Sequence, residues 1–182
     1  MGDGVSGIGS VRKSLITPWR FNHNRPVTET ATVLFLGTEA DTLSLGARLA
    51  PCLHGGMLVC LSGELGAGKT TLARGIIRAL GHTGRVKSPS YALVEPYKLS
   101  RLYLYHFDFY RFKGPGELAE AGFREHFNAD TLCLVEWPEN AAGLLPVADL
   151  TIAIAAAGPG RQVEIGSGTE AGRLCLKSLK QD

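Results

Sequence analysis

Residues 57–81, MLVCLSGELGAGKTTLARGIIRALG, constrain the fold of this chain more than any other stretch. Gly63, Gly68, Lys69 and Thr70 fit the pattern G-x-x-x-x-G-K-[ST]. The flanks supply the context that the pattern requires. Met57 to Leu61 is a short apolar run, as in a buried parallel strand. Beyond Lys69, the apolar residues Leu72, Ala73, Ile76, Ile77 and Leu80 fall on one helical face, and Gly81 stands where a C-terminal cap belongs. A strand, a glycine loop and a helix in that order make a phosphate-binding unit.

The composition of the loop follows from its task. Phosphate oxygens must lie against backbone N–H groups, and side chains on the loop would block them. Gly63, Gly66 and Gly68 remove that obstruction and allow the unusual dihedrals of a backbone nest. Glu64, Leu65 and Ala67 complete the loop, and Thr71 extends its hydroxyl-rich end. The helix that follows turns free N–H groups and a positive dipole end toward the phosphates. Lys69 then reaches the β and γ phosphates, and the Thr70 hydroxyl ligates magnesium. The plainer alternative is a glycine-rich turn without a ligand.

A chain of 182 residues suits one full domain rather than two. Its formal net charge of +2 is too small to imply nucleic-acid binding by charge alone. Cys52, Cys60, Cys133 and Cys175 show no C-x-x-C spacing. Cys60 and Cys133 lie inside apolar runs, which reads as buried reduced thiols in a cytoplasmic protein. No segment approaches the ~20 apolar residues of a membrane span, and the N-terminus lacks a signal-peptide core. MGDGVS fits the loose N-myristoylation pattern, with no second anchoring signal nearby.

Residues 1–28 are rich in Gly, Ser, Asn and Arg and read as a flexible extension, with Trp19 and Phe21 able to dock on the domain that occupies 29–182. Ala31 to Leu36 is a strand. Thr38 then caps a helix with Glu39 and Asp41 in its first turn. Tyr91 to Tyr97 and Leu102 to Phe107 form two strands whose four-residue link, 98–101, demands antiparallel pairing. Glu117 to Phe127 is a short helix, and Thr131 to Val135 a strand that ends at Glu136. Leu150 to Ala157 and Gln162 to Gly166 are strands around a Gly-Pro-Gly turn, and Leu174 to Leu179 can add a third. The expectation is a single α/β P-loop domain whose mixed sheet has a parallel core and antiparallel strands between helices.

A P-loop needs a carboxylate at a neighbouring strand end to complete its magnesium site. Glu136 follows four apolar residues and is the first choice; Asp108, after Leu104-Tyr105-His106-Phe107, is the second candidate. Trp137 either covers the nucleotide base, fixes the direction of the carboxylate, or packs in the core. His106 reads as a base, a neighbour of the metal site, or a hydrogen-bonded core histidine. Arg111 is either an arginine finger in cis or a surface residue. Ser88-Pro89-Ser90-Tyr91 occupies the place where P-loop switches feel the γ-phosphate. Arg74, Arg78, Arg85, Lys87, Lys98 and Arg101 form either a contact for nucleic acid or an acidic protein or a solvated basic face.

GELGAGKTT, VKSPSYALVEPY, YHFDFYR, LVEWPE and LLP, in this order, resemble the TsaE (YjeE) family, small P-loop ATPases of threonylcarbamoyladenosine synthesis in tRNA. The likeness runs from about Val33 to Gly166 and leaves the N-terminal extension outside. The resemblance implies a mixed-sheet P-loop fold that binds ATP and Mg2+, with Gly63 to Thr70 on the phosphates and Thr70 with Glu136 on magnesium. It places Asp108 near the γ-phosphate, Trp137 beside the site, and Thr38, Glu39 and Arg161 near the base. Ser90 stands where the family usually has Thr. The implied partners are a TsaB–TsaD type complex and, through it, tRNA, with ATP hydrolysis resetting that complex between rounds. Two other readings of the same site are a small-molecule kinase and a module that senses ATP with negligible turnover.

Overall fold

The computed structural model describes residues 32–112 and 122–180. The N-terminal extension, with Trp19 and Phe21, lies outside the described residues, as does the first half of the helix expected over 117–127. Seven strands make one sheet: β1 (Thr32–Leu36), β2 (Leu58–Ser62), β3 (Val94–Lys98), β4 (Tyr103–Asp108), β5 (Thr131–Glu136), β6 (Leu150–Ala157) and β7 (Gly160–Ser167), in the order β1-β7-β6-β2-β5-β4-β3. β6, β2, β5 and β4 are mutually parallel, while β1, β7 and β3 pair antiparallel. The expected mixed sheet is present.

β2 is buried along its whole length, as its unbroken apolar run requires. It lies between β5 and β6, so the chain leaves its C-terminal end into a crevice flanked by both neighbours, where ligands bind in open α/β sheets. One face of the sheet carries α1 (Glu39–Leu49), α2 (Lys69–Ala79) and α3 (Glu170–Leu179), packed through Leu45, Leu49, Leu72, Ile76, Leu176 and Leu179. Thr38 caps α1 in a reciprocal box: its hydroxyl accepts from Asp41 N–H at 3.1 Å, and Asp41 accepts from Thr38 N–H at 2.9 Å. A Cβ on Gly46 would sit 2.7 Å from Leu72 O, and one on Gly75 2.5 Å from Leu43 O, so the glycines let α1 and α2 touch backbone to backbone. The opposite face holds a second core around Phe107, Phe109, Phe112, Phe123, Val135 and Ala141.

Four local expectations differ from the structure. Residues 174–179 are helix rather than strand: the Thr169 hydroxyl accepts from Gly172 N–H, and Gly172, Cys175, Leu176 and Leu179 bury at three- and four-residue spacing. That helix turns Cys175 toward the 3-10 turn Ala50–Cys52, where Cys52 and Cys175 form a disulfide with Cα atoms 5.2 Å apart. Only Cys60 and Cys133 are buried free thiols, with pKa values pushed up by burial to about 12 and about 11. β3 begins at Val94, not Tyr91, because Leu93 adopts φ 67° and donates its N–H back to Pro89 O at 2.6 Å. The described end of the helix expected over 117–127 is a 3-10 turn, Phe123–His126.

Candidate functional site

Gly63 carries the chain out of β2 at φ 137°, and a Cβ there would lie 2.2 Å from Ile154 O on β6. The loop then folds on itself, with Ala67 N–H donating to Glu64 O at 3.1 Å. Gly66 has φ 80°, and Leu65 stands exposed beside it. Gly68, at φ 113°, leads into α2, whose first two residues are Lys69 and Thr70, with Thr71 half-buried behind them. Lys69 is 4% exposed. Its ammonium donates to Gly63 O at 2.6 Å and Glu64 O at 2.9 Å, clamping the start of the loop, and lies 3.9 Å over the Trp137 ring. Burial holds its pKa below the ordinary lysine value, while the charges of Glu136, Glu139 and Asp108 pull it back up.

Trp137 has φ 58° and ψ 50°, a left-handed conformation that is uncommon for a residue with a side chain. Its N–H donates to Leu61 O at 3.1 Å, which ties the end of β5 to β2. The turn aims the indole at Lys69 and Tyr110 (ring centroids 5.0 Å apart). Trp137 therefore packs against the lysine that closes the glycine loop. A cation over an indole face contributes about 0.5–2 kcal/mol and fixes the lysine stem.

Two acids complete the wall opposite the loop. The parallel register sets Asp108 of β4 directly beside Glu136 of β5, and Glu136 beside Leu61 of β2. The Thr70 hydroxyl donates to Glu136, 2.8 Å from Oε1 and 3.1 Å from Oε2. His106 Nε2 lies 2.9 Å from Glu136 Oε1. Asp108 is buried; Oδ1 accepts from Tyr110 N–H at 3.0 Å and Oδ2 accepts from the Ser88 hydroxyl. Ser88, not Ser90, thus supplies the hydroxyl that the proline-stiffened loop brings to this wall. Sequence reasoning named the loop that carries both serines but not the bond from Ser88 to Asp108, because the tight turn closed by Pro89 O and Leu93 N–H was invisible.

The expected neighbours of the base also converge. The Arg161 guanidinium donates to Thr38 O at 3.2 Å and to the Thr42 hydroxyl at 3.0 Å. A Cβ on Gly68 would lie 3.3 Å from Arg161 Nε, so Thr38, Arg161 and the end of the loop form one corner. Glu39 instead pairs with Arg74 of α2 at 3.2 Å, an exposed carboxylate engaged by one member of the basic cluster. The Arg111 guanidinium lies 4.1 Å over the Tyr91 ring, an arrangement that commits it to an aromatic face. Thr42 was missed by sequence reasoning; as a polar residue on the buried face of α1 it carried the signal.

Among the described residues, no three His, Cys, Asp or Glu side chains converge into a closed metal cage. The Thr70 hydroxyl and the Glu136 carboxylate instead form a pair of hard oxygens beneath a phosphate loop. Such a pair fits Mg2+, which takes its remaining ligands from water and phosphate.

Comparison with known proteins agrees with this geometry. The family profile of the threonylcarbamoyl adenosine biosynthesis protein TsaE matches residues 36–163, which include every site residue from Thr38 to Arg161. The tRNA threonylcarbamoyladenosine biosynthesis protein TsaE of Haemophilus influenzae is 41% identical over 150 residues, covering 80% of this chain and 95% of that protein. The Bacillus subtilis protein of the same name is 36% identical over 118 residues, covering 65% of this chain and 73% of its own length. In three dimensions the chain is similar to the crystal structure of Bacillus subtilis YdiB, with a TM-score of 0.73 and 27% identity over 84% of this chain and 95% of that one. This chain belongs to the TsaE family.

Proposed function

We propose that the chain is a magnesium-dependent ATPase that serves as an accessory subunit in threonylcarbamoyladenosine synthesis on ANN-decoding tRNAs. It acts on a TsaB–TsaD type complex in the cytoplasm and meets tRNA through that complex. One observation carries the chemistry: Thr70 and Glu136 join at 2.8 Å beneath a glycine loop clamped by Lys69. The tRNA role rests on the names of the relatives.

Each residue then has a defined task. The backbone of Gly63, Glu64, Leu65, Gly66, Ala67 and Gly68 presents N–H groups to the phosphates, and the N-terminus of α2 adds its dipole. Lys69 exchanges its carbonyl partners for β- and γ-phosphate oxygens, a charge-assisted contact that is stronger than the ones it leaves. Thr70 and Glu136 would hold magnesium, which would supply positive charge to neutralise the phosphates. Asp108, pinned by Ser88 and by Tyr110 N–H, orients the attacking water. Ser88 lies on the loop that follows α2, so movement of that loop would make or break its bond to the Asp108 carboxylate. Arg161 and Thr38 border the nucleoside end of the site with Glu39 beside them, while Thr71 extends the phosphate loop and Ser90 lies on the loop of Ser88.

The test is ATP hydrolysis by the purified chain, alone and with a TsaB–TsaD pair plus tRNA. Slow turnover that rises with the partners is expected. A rate indifferent to them would overturn the accessory role, and a phosphorylated metabolite among the products would put a kinase in its place. Binding without turnover under either condition would leave an ATP sensor. Lys69→Ala should weaken ATP binding at least tenfold, since a charge-assisted hydrogen bond contributes roughly 1.5–3 kcal/mol.

A further inference from the structure

His106 has no part in the chemistry above, yet it is a fully buried polar side chain beside the site. It sits in β4 two residues before Asp108, on the same face of the strand, and its side chain has no exposure. Nε2 lies 2.9 Å from Glu136 Oε1, and buried Nδ1 has no hydrogen-bond partner among the described residues.

Those two facts fix which ring nitrogen faces the acid as a donor. A ring protonated at Nδ1 alone would set the Nε2 lone pair against a carboxylate oxygen and bury an N–H with no acceptor among the described residues. A proton on Nε2 makes the observed bond. His106 is therefore a fixed Nε2–H donor to Glu136.

Glu136 needs such a donor. A glutamate has one more side-chain torsion than the aspartate usual at this place, so its carboxylate must be held against free rotation. Thr70 touches both oxygens, at 2.8 and 3.1 Å, and does not by itself select one. With His106 on Oε1, Oε2 keeps the free lone pairs.

We propose that His106 is a positioning residue for the metal site: its Nε2–H locks the Glu136 carboxylate so that Oε2 faces the cation. β4 then serves both halves of the acid wall, placing Asp108 itself and bracing Glu136 through His106. The inference rests on the reading of Glu136 as a magnesium ligand.

A fluorescent ATP analogue separates the possibilities by its affinity with and without Mg2+, alongside thermal melting. Outer partners of metal ligands are typically worth roughly 10–100-fold in metal affinity. His106→Leu should raise the half-saturating Mg2+ concentration by about that factor, with metal-free analogue binding unchanged. His106→Gln, whose amide nitrogen replaces Nε2, should restore the requirement to within a few-fold of the natural protein. In the His106→Leu/Glu136→Ala pair, the histidine change should add nothing to the glutamate change. A lower melting temperature with an unaltered Mg2+ requirement would make His106 a packing residue and overturn the proposal. So would equal Mg2+ requirements for the Leu and Gln variants. If His106→Leu does not fold, His106→Gln is set against His106→Asn, whose amide is too short to reach Glu136, and equal requirements overturn the proposal. If Glu136→Ala leaves the Mg2+ requirement unchanged, the metal reading itself fails and this inference falls with it. If Glu136→Ala shifts it and His106→Leu does not, only the inference fails.

Discussion

The phosphate loop and the acid wall face each other across one crevice but are built in opposite ways. The loop is local: Gly63 to Thr70 are consecutive, and the bonds that shape it, Lys69 to Gly63 O and Glu64 O and Ala67 N–H to Glu64 O, lie within it. The wall gathers Ser88, His106, Asp108 and Glu136 from three separate segments. Its geometry depends on the parallel register of β4 against β5, because a one-residue slip would turn Asp108 or Glu136 to the other face. The loop should therefore fail through its backbone, and the wall through individual side chains.

The largest expected effect breaks the loop. Gly63→Ala would force a Cβ to within 2.2 Å of Ile154 O at a φ of 137°, so clash and backbone strain add to about 3 kcal/mol or more of lost stability. Gly66→Ala has open space around the new methyl and carries only the φ penalty, about 1–2 kcal/mol. Denaturant unfolding of the two variants measures the difference. Equal losses would mean that the contact with β6 is not what holds the loop in place.

The wall should divide by role. Asp108→Ala should lower turnover by roughly 100-fold or more, the scale of a positioned proton-transfer group, with little change in ATP affinity. Glu136→Ala should act mainly by raising the magnesium requirement. Steady-state rates over a range of Mg2+ concentrations test this. Matching profiles for the two variants would mean that the acids act as one unit.

This contrast also explains what the sequence could show. The loop was legible because its chemistry is written in consecutive residues, and the capped start of α1 was legible for the same reason. Glu136 and Asp108 were legible as strand-end acids, but their adjacency was not, since register is a property of two strands. The loop of Ser88 and Ser90 was legible, but the bond from Ser88 to Asp108 was not, because the left-handed Leu93 and its bond to Pro89 O shape the loop. Residues 174–179 read as strand because a short apolar run has no period of its own. Thr169 five residues further back, with buried Gly172 and Ala171 packed between, revealed the helix once packing was known. The pairing of Cys52 with Cys175 depended on that helix and was hidden with it.

A smaller effect sharpens the comparison on the wall side. Ser88→Ala removes one hydroxyl donor from the buried Asp108 carboxylate and leaves Tyr110 N–H in place. Loss of a hydrogen bond to a charged group is worth roughly 1.5–3 kcal/mol when complete, and the remaining donor should hold the turnover loss near tenfold. Ser90→Ala should change turnover by less than about twofold on the same grounds. A larger loss at Ser90 would show that the loop rearranges when nucleotide binds.

The smallest expected effect is on the loop side and concerns pH. Burial is the largest influence on Lys69 and favours the neutral amine, so its pKa lies below the ordinary lysine value of 10.5 even though Glu136, Glu139 and Asp108 oppose the shift. The phosphates require the ammonium. ATP affinity should therefore be full at neutral pH and decline as pH rises through the lowered pKa, at a lower pH than for an ordinary lysine. Bound phosphate favours the charged amine, so the decline should be shallower than for the free protein. Lys69→Ala, with no ammonium to lose, should bind weakly and show no such decline. Nucleotide titrations at stepped alkaline pH, kept below the onset of unfolding, make the measurement. A decline of equal size in Lys69→Ala would assign it to another group and leave the clamp on Gly63 and Glu64 as the only role of the Lys69 ammonium.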